Sequence, residues 1–200
     1  NIMDPIHTTF LHARGKVVQF VDEKGQASTA FAEIGELDWM ETPVGTIYIN
    51  TRRVGDDVWV RMGEQVHSNM HQFPSHPEFP PTYPEGKQDL CFMPRTTVWS
   101  VPIDDDNTMS YLLIRVPGDQ ELVSITEQTT GTATGQFSDR PYEETQRNPG
   151  DYEALTSQRT IAIHALEHLG YTDRGVTLYR KLLREGILAV QRDEDPKGVV

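Results

Sequence analysis

The alternation of apolar and polar residues predicts β-strands in the first half of the chain. The segments KVVQFVD (16–22), TIYIN (46–50) and DDVWVRM (56–62) are rich in β-branched and aromatic residues, as strands are. Gly55 and Asp56 lie between the last two of these strands and predict a hairpin turn. TTVWSVPI (96–103) and MSYLLIRVP (109–117) predict two further strands, joined by a turn-rich acidic cluster at 104–107.

Helical spacing takes over near the end of the chain. Apolar residues from Tyr152 to Leu169 predict one helix, with Gly170 as its C-cap. A second helix is predicted over 172–193, with Thr172 or Asp173 as its cap. Its apolar stripe consists of Leu178, Leu182, Leu183 and Ile187. Residues 69–84 and 127–150 have no clear period, so they predict an irregular loop and a surface loop or lid. The pattern as a whole predicts an α+β fold.

Composition narrows the class of protein. The 200 residues are enough for one globular domain with a core. The formal net charge of -12 argues against a nucleic-acid partner, because phosphate binding needs clustered Lys and Arg. The single cysteine, Cys91, excludes a disulfide framework and fits a reducing cytoplasm. No apolar run approaches the length of a membrane span, and no signal-peptide pattern is present.

The first residues carry the strongest candidate chemistry. NIMDPIHTTFLH contains Asp4, His7 and His12 in the pattern D-x-x-H-x-x-x-x-H. Neutral imidazole binds iron, zinc, copper or nickel, and two histidines with one carboxylate and open positions are typical of non-heme Fe(II) oxygenases. On a regular helix, residues five apart point roughly 140° away from each other. His7 and His12 can therefore share a metal only if the helix is distorted by a π-type turn or ends between them. Two ordinary polar histidines on an amphipathic helix are the alternative.

This segment, taken with a second one, resembles the catalytic domain of Rieske-type non-heme iron oxygenases, the α subunits of aromatic ring-hydroxylating and O-demethylating systems. The second segment is PGDYEALTSQRTIAIHALEHLGYTDRGVTLYRKLLREGI (149–187). LDWMETPVGTIYI and TVWSVPIDDDNT extend the likeness over nearly the whole chain. The order and distances of these motifs make the set specific.

The resemblance implies a mononuclear Fe(II) site held by His7, His12 and Asp151, with Gln158 also matching the family pattern. It implies that Asp4 links His7 to a histidine of the Rieske cluster. The fold it implies is the helix-grip (START-like) fold, an antiparallel sheet wrapped around a long C-terminal helix. The implied activity is O2-dependent hydroxylation or O-demethylation of an aromatic or related hydrophobic substrate. A ferredoxin or reductase would supply the electrons, and the full-length form is expected to be a homo-oligomer, commonly a trimer.

The chain departs from the family pattern in lacking the ligands of a Rieske cluster. A Rieske [2Fe-2S] cluster needs two cysteines and two histidines in paired motifs, and this chain has one cysteine. The expectation is a single catalytic domain over 1–200, either part of a longer α subunit or a truncated copy. The cluster then belongs to a missing domain or a partner, and the chain alone is expected to bind metal and substrate without turning over.

Several alternatives stay open. Asp151 follows Asn148-Pro149-Gly150, where an N-cap aspartate belongs. HALEH, with His164, Glu167 and His168, matches an inverted zinc-peptidase motif. A helix-grip cavity can also serve as a metal-free module that binds hydrophobic ligands.

Weaker candidates concern substrate and surface. Met70, His71 and Phe73, in a stretch with His67 and His76, are weak candidates for lining a substrate pocket. The three aspartates at 104–106 lack the spacing of a calcium loop and predict a solvated turn. Three arginines are able to pair a substrate carboxylate, but a surface position at strand ends is the default expectation: Arg52, Arg53 and Arg95.

Overall fold

The described residues form a six-stranded antiparallel sheet as their largest element. The computed structural model describes residues 3–14, 34–54, 56–74, 94–114, 141–147 and 149–199. The strands follow each other in sequence order across the sheet. They are β1 (Glu36–Thr42), β2 (Gly45–Val54), β3 (Asp57–Val66), β4 (Met70–Pro74), β5 (Pro94–Pro102) and β6 (Thr108–Ile114).

Helical segments precede and follow the sheet. A π-helix spans Thr8–Arg14. Within the described residues, the α-helices are α1 (Tyr142–Arg147), α2 (Asp151–Thr156) and α3 (Arg174–Gln191), and short 3-10 turns span His164–Leu166 and Tyr171–Asp173. The sheet and the long C-terminal helix α3 confirm the predicted α+β class and are consistent with the helix-grip fold. Among the described residues, no helix combines the length and apolar character needed to cross a membrane.

The chain divides into two compact units. One contains Asn1–Pro5, Gly35–Arg115 and His168–Val200, and therefore holds the sheet and α3. The other contains Ile6–Ile34 and Val116–Glu167, and therefore holds the π-helix, α1 and α2. The expectation of one catalytic domain over 1–200 stays a prediction.

The hairpin between β2 and β3 confirms the turn predicted from the sequence. Val54 pairs with Asp57, so the connection is two residues long, and Asp56 lies in it. The turn between β5 and β6 is also confirmed. Oδ1 of Asp104 accepts hydrogen bonds from the backbone N–H groups of Asp106 and Asn107, at 2.9 and 2.8 Å. This is the local Asx bonding that makes aspartate a turn former.

Two elements lie where the sequence predicts loops. The prediction of an irregular loop from Asn69 is wrong for 70–74, because β4 pairs with β3 on one side and with β5 on the other. Pro74 is the last residue of that strand, so the prolines of this region do not interrupt its ladder. The loop predicted over 127–150 contains α1, which follows Pro141 and has Glu143 and Glu144 in its first turn. The predicted strand over 16–22 and most of the two loops lie outside the described residues.

The helix predicted from Tyr152 to Leu169 is much shorter in the structure. Helix α2 ends at Thr156, and Arg159 has a positive φ of 71°. Thr156 Oγ1 donates to the carbonyl of Tyr152, and Ser157 Oγ donates to the carbonyl of Ala154. Hydroxyl groups bonded back to the helix carbonyls, followed by a left-handed residue, favour termination over continuation.

Helix α3 confirms the second predicted helix, and its buried stripe includes Leu182 of the predicted stripe but not Ile187. Asp173 is the N-cap residue, although its carboxylate accepts the N–H of Gly170 rather than that of a helix residue. Ile187, predicted on the buried stripe, is exposed. The buried positions are mostly small, which lets the helix approach the sheet closely: Gly175, Leu182, Gly186 and Ala189.

Candidate metal centre

The N-terminal segment has the helical distortion that the histidine spacing requires. His7 is helical and immediately precedes the π-helix Thr8–Arg14. Hydrogen bonds in a π-helix join residues five apart, so such residues lie about one turn from each other. Side chains five apart therefore point in similar directions there, unlike on an α-helix. At His12 the structure describes the backbone but not the side chain.

Asp151 is the first residue of helix α2 and is not its N-cap. The N-cap is Gly150, whose backbone N–H donates to Oε2 of Glu153 at 2.7 Å. The carboxylate that takes part in capping this helix is therefore that of Glu153 and not that of Asp151. A position in the first turn holds the backbone of Asp151 firmly, as a metal ligand needs.

His7 and Asp151 lie close together within one compact unit. Nε2 of His7 is 3.9 Å from Oδ1 of Asp151, and the two side chains are 16% and 20% exposed. A direct N–H···O hydrogen bond would need about 2.7–3.2 Å. Two ligands that each lie about 2.1 Å from one metal ion are about 3–4 Å apart. The separation of the donor atoms is longer than a hydrogen bond and lies at the upper end of the range for two ligands of one ion.

The other predicted site residues are only partly described. Asp4 stands three residues before His7 and is half-buried. No group of three or more His, Cys, Asp or Glu side chains that could hold a metal occurs among the described residues. The side chain of His12 lies outside that set. The described part of the chain therefore brings together two of the three predicted ligands.

Gln158 lies after the end of α2 and is exposed, and its Nε2 donates to the carbonyl of Ala154 at 3.3 Å. This contact ties its amide to the neighbouring helix turn. The described contacts of Gln158 are therefore structural.

The predicted helical placement of HALEH is wrong. The structure has a 3-10 turn at His164–Leu166 and no helix over 167–170. An i, i+4 histidine pair stacks on one face only in an α-helix. The zinc-peptidase alternative therefore loses the geometry on which it depended.

The candidate substrate residues lie on β4. His71 and Phe73 make an edge-to-face contact, with ring centroids 5.0 Å apart and an interplanar angle of 68°. Strand residues alternate between faces, so Met70 lies on the opposite face from these two. Burial lowers the pKa of His71, which favours its neutral form.

Two buried arginines are the feature that sequence reasoning missed. Arg52 is 4% exposed and Arg61 is 8% exposed, so the surface position expected for Arg52 is wrong. Arg53 is exposed, as expected, and its Nη2 lies 3.9 Å from Oδ1 of Asp56. The side chain of Arg95 lies outside the described residues. The alternation of side chains between the two faces of a strand could have indicated this burial. Arg52 and Arg61 occupy positions on the same face of the sheet as Tyr48 and Gly63.

The chain is similar in sequence to part of three known oxygenase subunits. It is 34% identical to the tert-butanol monooxygenase / tert-amyl alcohol desaturase oxygenase subunit of Aquincola tertiaricarbonis, over 100% of this chain and 43% of that protein. It is 28% identical to the phenoxybenzoate dioxygenase subunit alpha of Ectopseudomonas oleovorans, over 100% of this chain and 44% of that protein. The chain is a relative of the oxygenase subunits of Rieske-type systems.

A third oxygenase subunit supports the same relationship. The chain is 24% identical to the 5,5'-dehydrodivanillate O-demethylase oxygenase subunit of Sphingobium sp., over 100% of this chain and 43% of that protein. The chain therefore spans less than half the length of these oxygenase subunits. No family model matches it.

Proposed function

We propose that the chain is the catalytic part of a Rieske-type oxygenase that hydroxylates or O-demethylates an organic substrate with O2. The observation that carries the proposal is the 3.9 Å approach of His7 Nε2 and Asp151 Oδ1. These two residues are 144 positions apart in the sequence, and both match the family pattern for iron ligands. Sequence identity to three oxygenase subunits supports the same reaction class.

In this proposal, His7, His12 and Asp151 hold one Fe(II) ion. Bound iron would supply the activation of O2, since two imidazoles and one carboxylate leave coordination positions open. The partial burial of His7 and Asp151 limits contact with bulk water while keeping the site accessible to small molecules. The π-helix aligns positions five apart, which suits the spacing of His7 and His12.

Asp4 is proposed as the residue that positions His7 for electron transfer. A carboxylate that accepts the second ring proton of a ligating histidine fixes its tautomer and orientation. Asp4 would join a histidine of the Rieske cluster to His7 in this way. It is thus a positioning residue for the electron route and not a metal ligand.

The redox balance requires an external electron donor. In hydroxylation, one oxygen atom of O2 enters the substrate and the other leaves as water, with two electrons and two protons supplied from outside. O-demethylation releases the hydroxylated methyl group as formaldehyde, with the same demand for electrons. We propose that a Rieske cluster outside this chain delivers them, fed by a ferredoxin or reductase. A homo-oligomer, commonly a trimer, and a cytoplasmic location complete the proposal.

The substrate is proposed to be an aromatic or related hydrophobic compound. The names of the relatives range from a small alcohol, tert-butanol, to the aromatic compounds phenoxybenzoate and 5,5'-dehydrodivanillate. His71 and Phe73 offer adjoining ring surfaces on β4 that suit contact with an aromatic group.

The proposal is tested with hydrogen peroxide, which carries oxygen and two reducing electrons together and so replaces O2 and the donor. Iron-loaded chain is mixed with 18O-labelled peroxide and a panel of tert-butanol, phenoxybenzoate and methoxybenzoate. Mass spectrometry should find labelled product from at least one compound. His7→Ala and a zinc-loaded sample are the controls and should give none.

Two results would overturn the proposal. The first is an iron-loaded chain that yields no labelled product from any of the compounds. The second is product formed equally by His7→Ala. Binding of these compounds without iron or turnover would instead support the metal-free binding module.

A further inference from the structure

Helix α2, which begins at Asp151, is too short to hold its own first turn in place. It has six residues, Asp151–Thr156, which make less than two turns. Isolated helices shorter than about 12 residues are marginal in water, because ordering the first turn costs more than its few hydrogen bonds return. The position of the Asp151 backbone therefore depends on contacts at the start of the helix.

Glu153 makes the contact at that start. The backbone N–H of Gly150 donates to Oε2 of Glu153 at 2.7 Å, which closes a ring that includes the backbones of Asp151 and Tyr152. Gly150 is the N-cap and has no side chain, so Glu153 provides this half of a capping box. Gly150 and the second carboxylate oxygen, Oε1, are both buried. Because water does not readily replace a buried acceptor, loss of this carboxylate would leave the Gly150 N–H buried without its hydrogen bond.

The proposed iron site tolerates little movement of Asp151. Nε2 of His7 and Oδ1 of Asp151 are 3.9 Å apart, at the upper end of the range of about 3–4 Å for two ligands of one ion. Functional sites need their groups held within about 0.5 Å of the productive geometry. A small outward shift of the first turn of α2 would therefore separate the two ligands too far to share one ion.

We propose that Glu153 is a positioning residue for the iron ligand Asp151. Its carboxylate fixes the N-cap Gly150 and thereby the turn that directs Asp151 toward His7. The described residues contain no group of three side chains able to hold a metal, so Glu153 is not placed as a further ligand. It acts through its hydrogen bond and not through its charge. This inference rests on the proposed iron site.

A similar contact elsewhere in the chain provides a matched control. The backbone N–H of Gly170 donates to Oδ2 of Asp173, also at 2.7 Å. Asp173 belongs to the compact unit that holds the sheet and α3, whereas His7, Asp151 and Glu153 belong to the other unit. Asp173→Ala therefore removes the same kind of hydrogen bond without changing the turn that carries Asp151.

The experiment measures Fe(II) affinity anaerobically, by competition with a chelator. Glu153→Ala should weaken Fe(II) binding about 10–100-fold, as loss of a residue that orients a metal ligand typically does. Glu153→Gln should stay within about threefold of wild type, because its amide oxygen still accepts the Gly150 N–H. Asp173→Ala should also stay within about threefold.

Three results would overturn the proposal. The first is unchanged Fe(II) affinity in Glu153→Ala. The second is equal weakening by Asp173→Ala, which would reduce the effect to a general loss of capping. The third is weakening by Glu153→Gln equal to that by Glu153→Ala, which would show that the negative charge matters and not the hydrogen bond.

A spectroscopic probe separates positioning from a general loss of structure. Co(II) alone is added to saturation in place of iron, because the visible absorption bands of bound Co(II) report the geometry of its ligands. These bands should change in Glu153→Ala and stay unchanged in Asp173→Ala and Glu153→Gln. If Glu153→Ala does not fold, the glutamine variant still decides. Bands like those of wild type support the hydrogen-bonding role, and altered bands contradict it.

Failure of this inference is distinguishable from failure of the oxygenase proposal. In the metal-free chain, the NMR resonances of the His7 ring should shift in Glu153→Ala and not in Asp173→Ala, because only the former moves Asp151. A chain that shows these shifts but takes up no iron would retain the positioning role and lose the oxygenase function. A chain that takes up iron through His7 and Asp151, with equal affinity in Glu153→Ala, would show the reverse.

Discussion

His7 Nε2 lies 3.9 Å from Asp151 Oδ1, although the two residues are 144 positions apart in the sequence. No local sequence pattern brings His7 and Asp151 together, because the two residues belong to different helical segments. The separation exceeds a hydrogen bond and lies at the upper end of the range for two ligands of one ion. On this contact rests the proposal of a mononuclear iron site.

The role of Asp4 separates electron transfer from iron binding. Asp4→Ala should retain iron but lose about 10–100-fold in the rate of electron transfer from a reduced Rieske partner, because the carboxylate positions His7 without ligating the metal. Stopped-flow oxidation of the reduced cluster measures this rate, with Asp105→Ala, in an exposed turn, as the matched control. Loss of iron in Asp4→Ala equal to that in His7→Ala would contradict the assignment.

Close packing of α3 on the sheet is testable at its glycines. A Cβ at Gly175 would meet the Trp39 indole ring and lie 2.7 Å from the carbonyl oxygen of Met3, neither of which can easily yield. Gly175→Ala should therefore lower the free energy of unfolding by about 1–3 kcal/mol, despite the better helix propensity of alanine. Urea unfolding measures the change.

The matched control is Gly186→Ala on the same helix. There the added Cβ lies 2.7 Å from Nε2 of His67, which is the end of a side chain. This ring can rotate away, so the cost should be smaller than at Gly175. A larger loss of stability at Gly186 than at Gly175 would be evidence against this packing.

The buried imidazole of His71 predicts a pH dependence of stability. Burial lowers its pKa in the folded state, so between the folded value and the unfolded value of 6.5 the unfolded chain binds more protons. The free energy of unfolding should be constant above that window and fall as the pH drops through it. Urea midpoints at about pH 8 and about pH 5 measure the fall.

His71→Gln should make that dependence shallower, and His164→Gln, at an exposed position, should not. His67, whose pKa is also lowered chiefly by burial, contributes in the same direction and leaves a residual slope. An unchanged slope in His71→Gln would show that His71 is not the titrating group.

Local signals in the sequence were sufficient for part of the fold. The turn at Asp56 and the Asx turn at Asp104 depend on residues within a few positions, and both form where predicted. The length of α2 could not be predicted from such local signals. The apolar positions that extend its pattern, such as Ile161 and Leu166, are exposed, and helices are stabilised mainly by tertiary packing.

The candidate site, like the fold, could be predicted from the sequence only in part. A metal shared by His7 and His12 required either a π-type distortion or a helix end between them, and a π-helix begins at Thr8. The burial of Arg52 and Arg61 could not be predicted from polarity, since arginine is seldom buried. It depends on the register between β2 and β3, which places both on the covered face.

Metal analysis of anaerobically purified chain reconstituted with Fe(II) tests the central claim most directly. Wild type is compared with His7→Ala, His12→Ala and Asp151→Ala, with His164→Ala as the matched histidine control. The account predicts about one iron per chain in wild type and His164→Ala, and loss in the other three, because each of those removes one ligand of a three-residue set. Wild type without iron, or iron that survives the His7 and Asp151 changes, would contradict it.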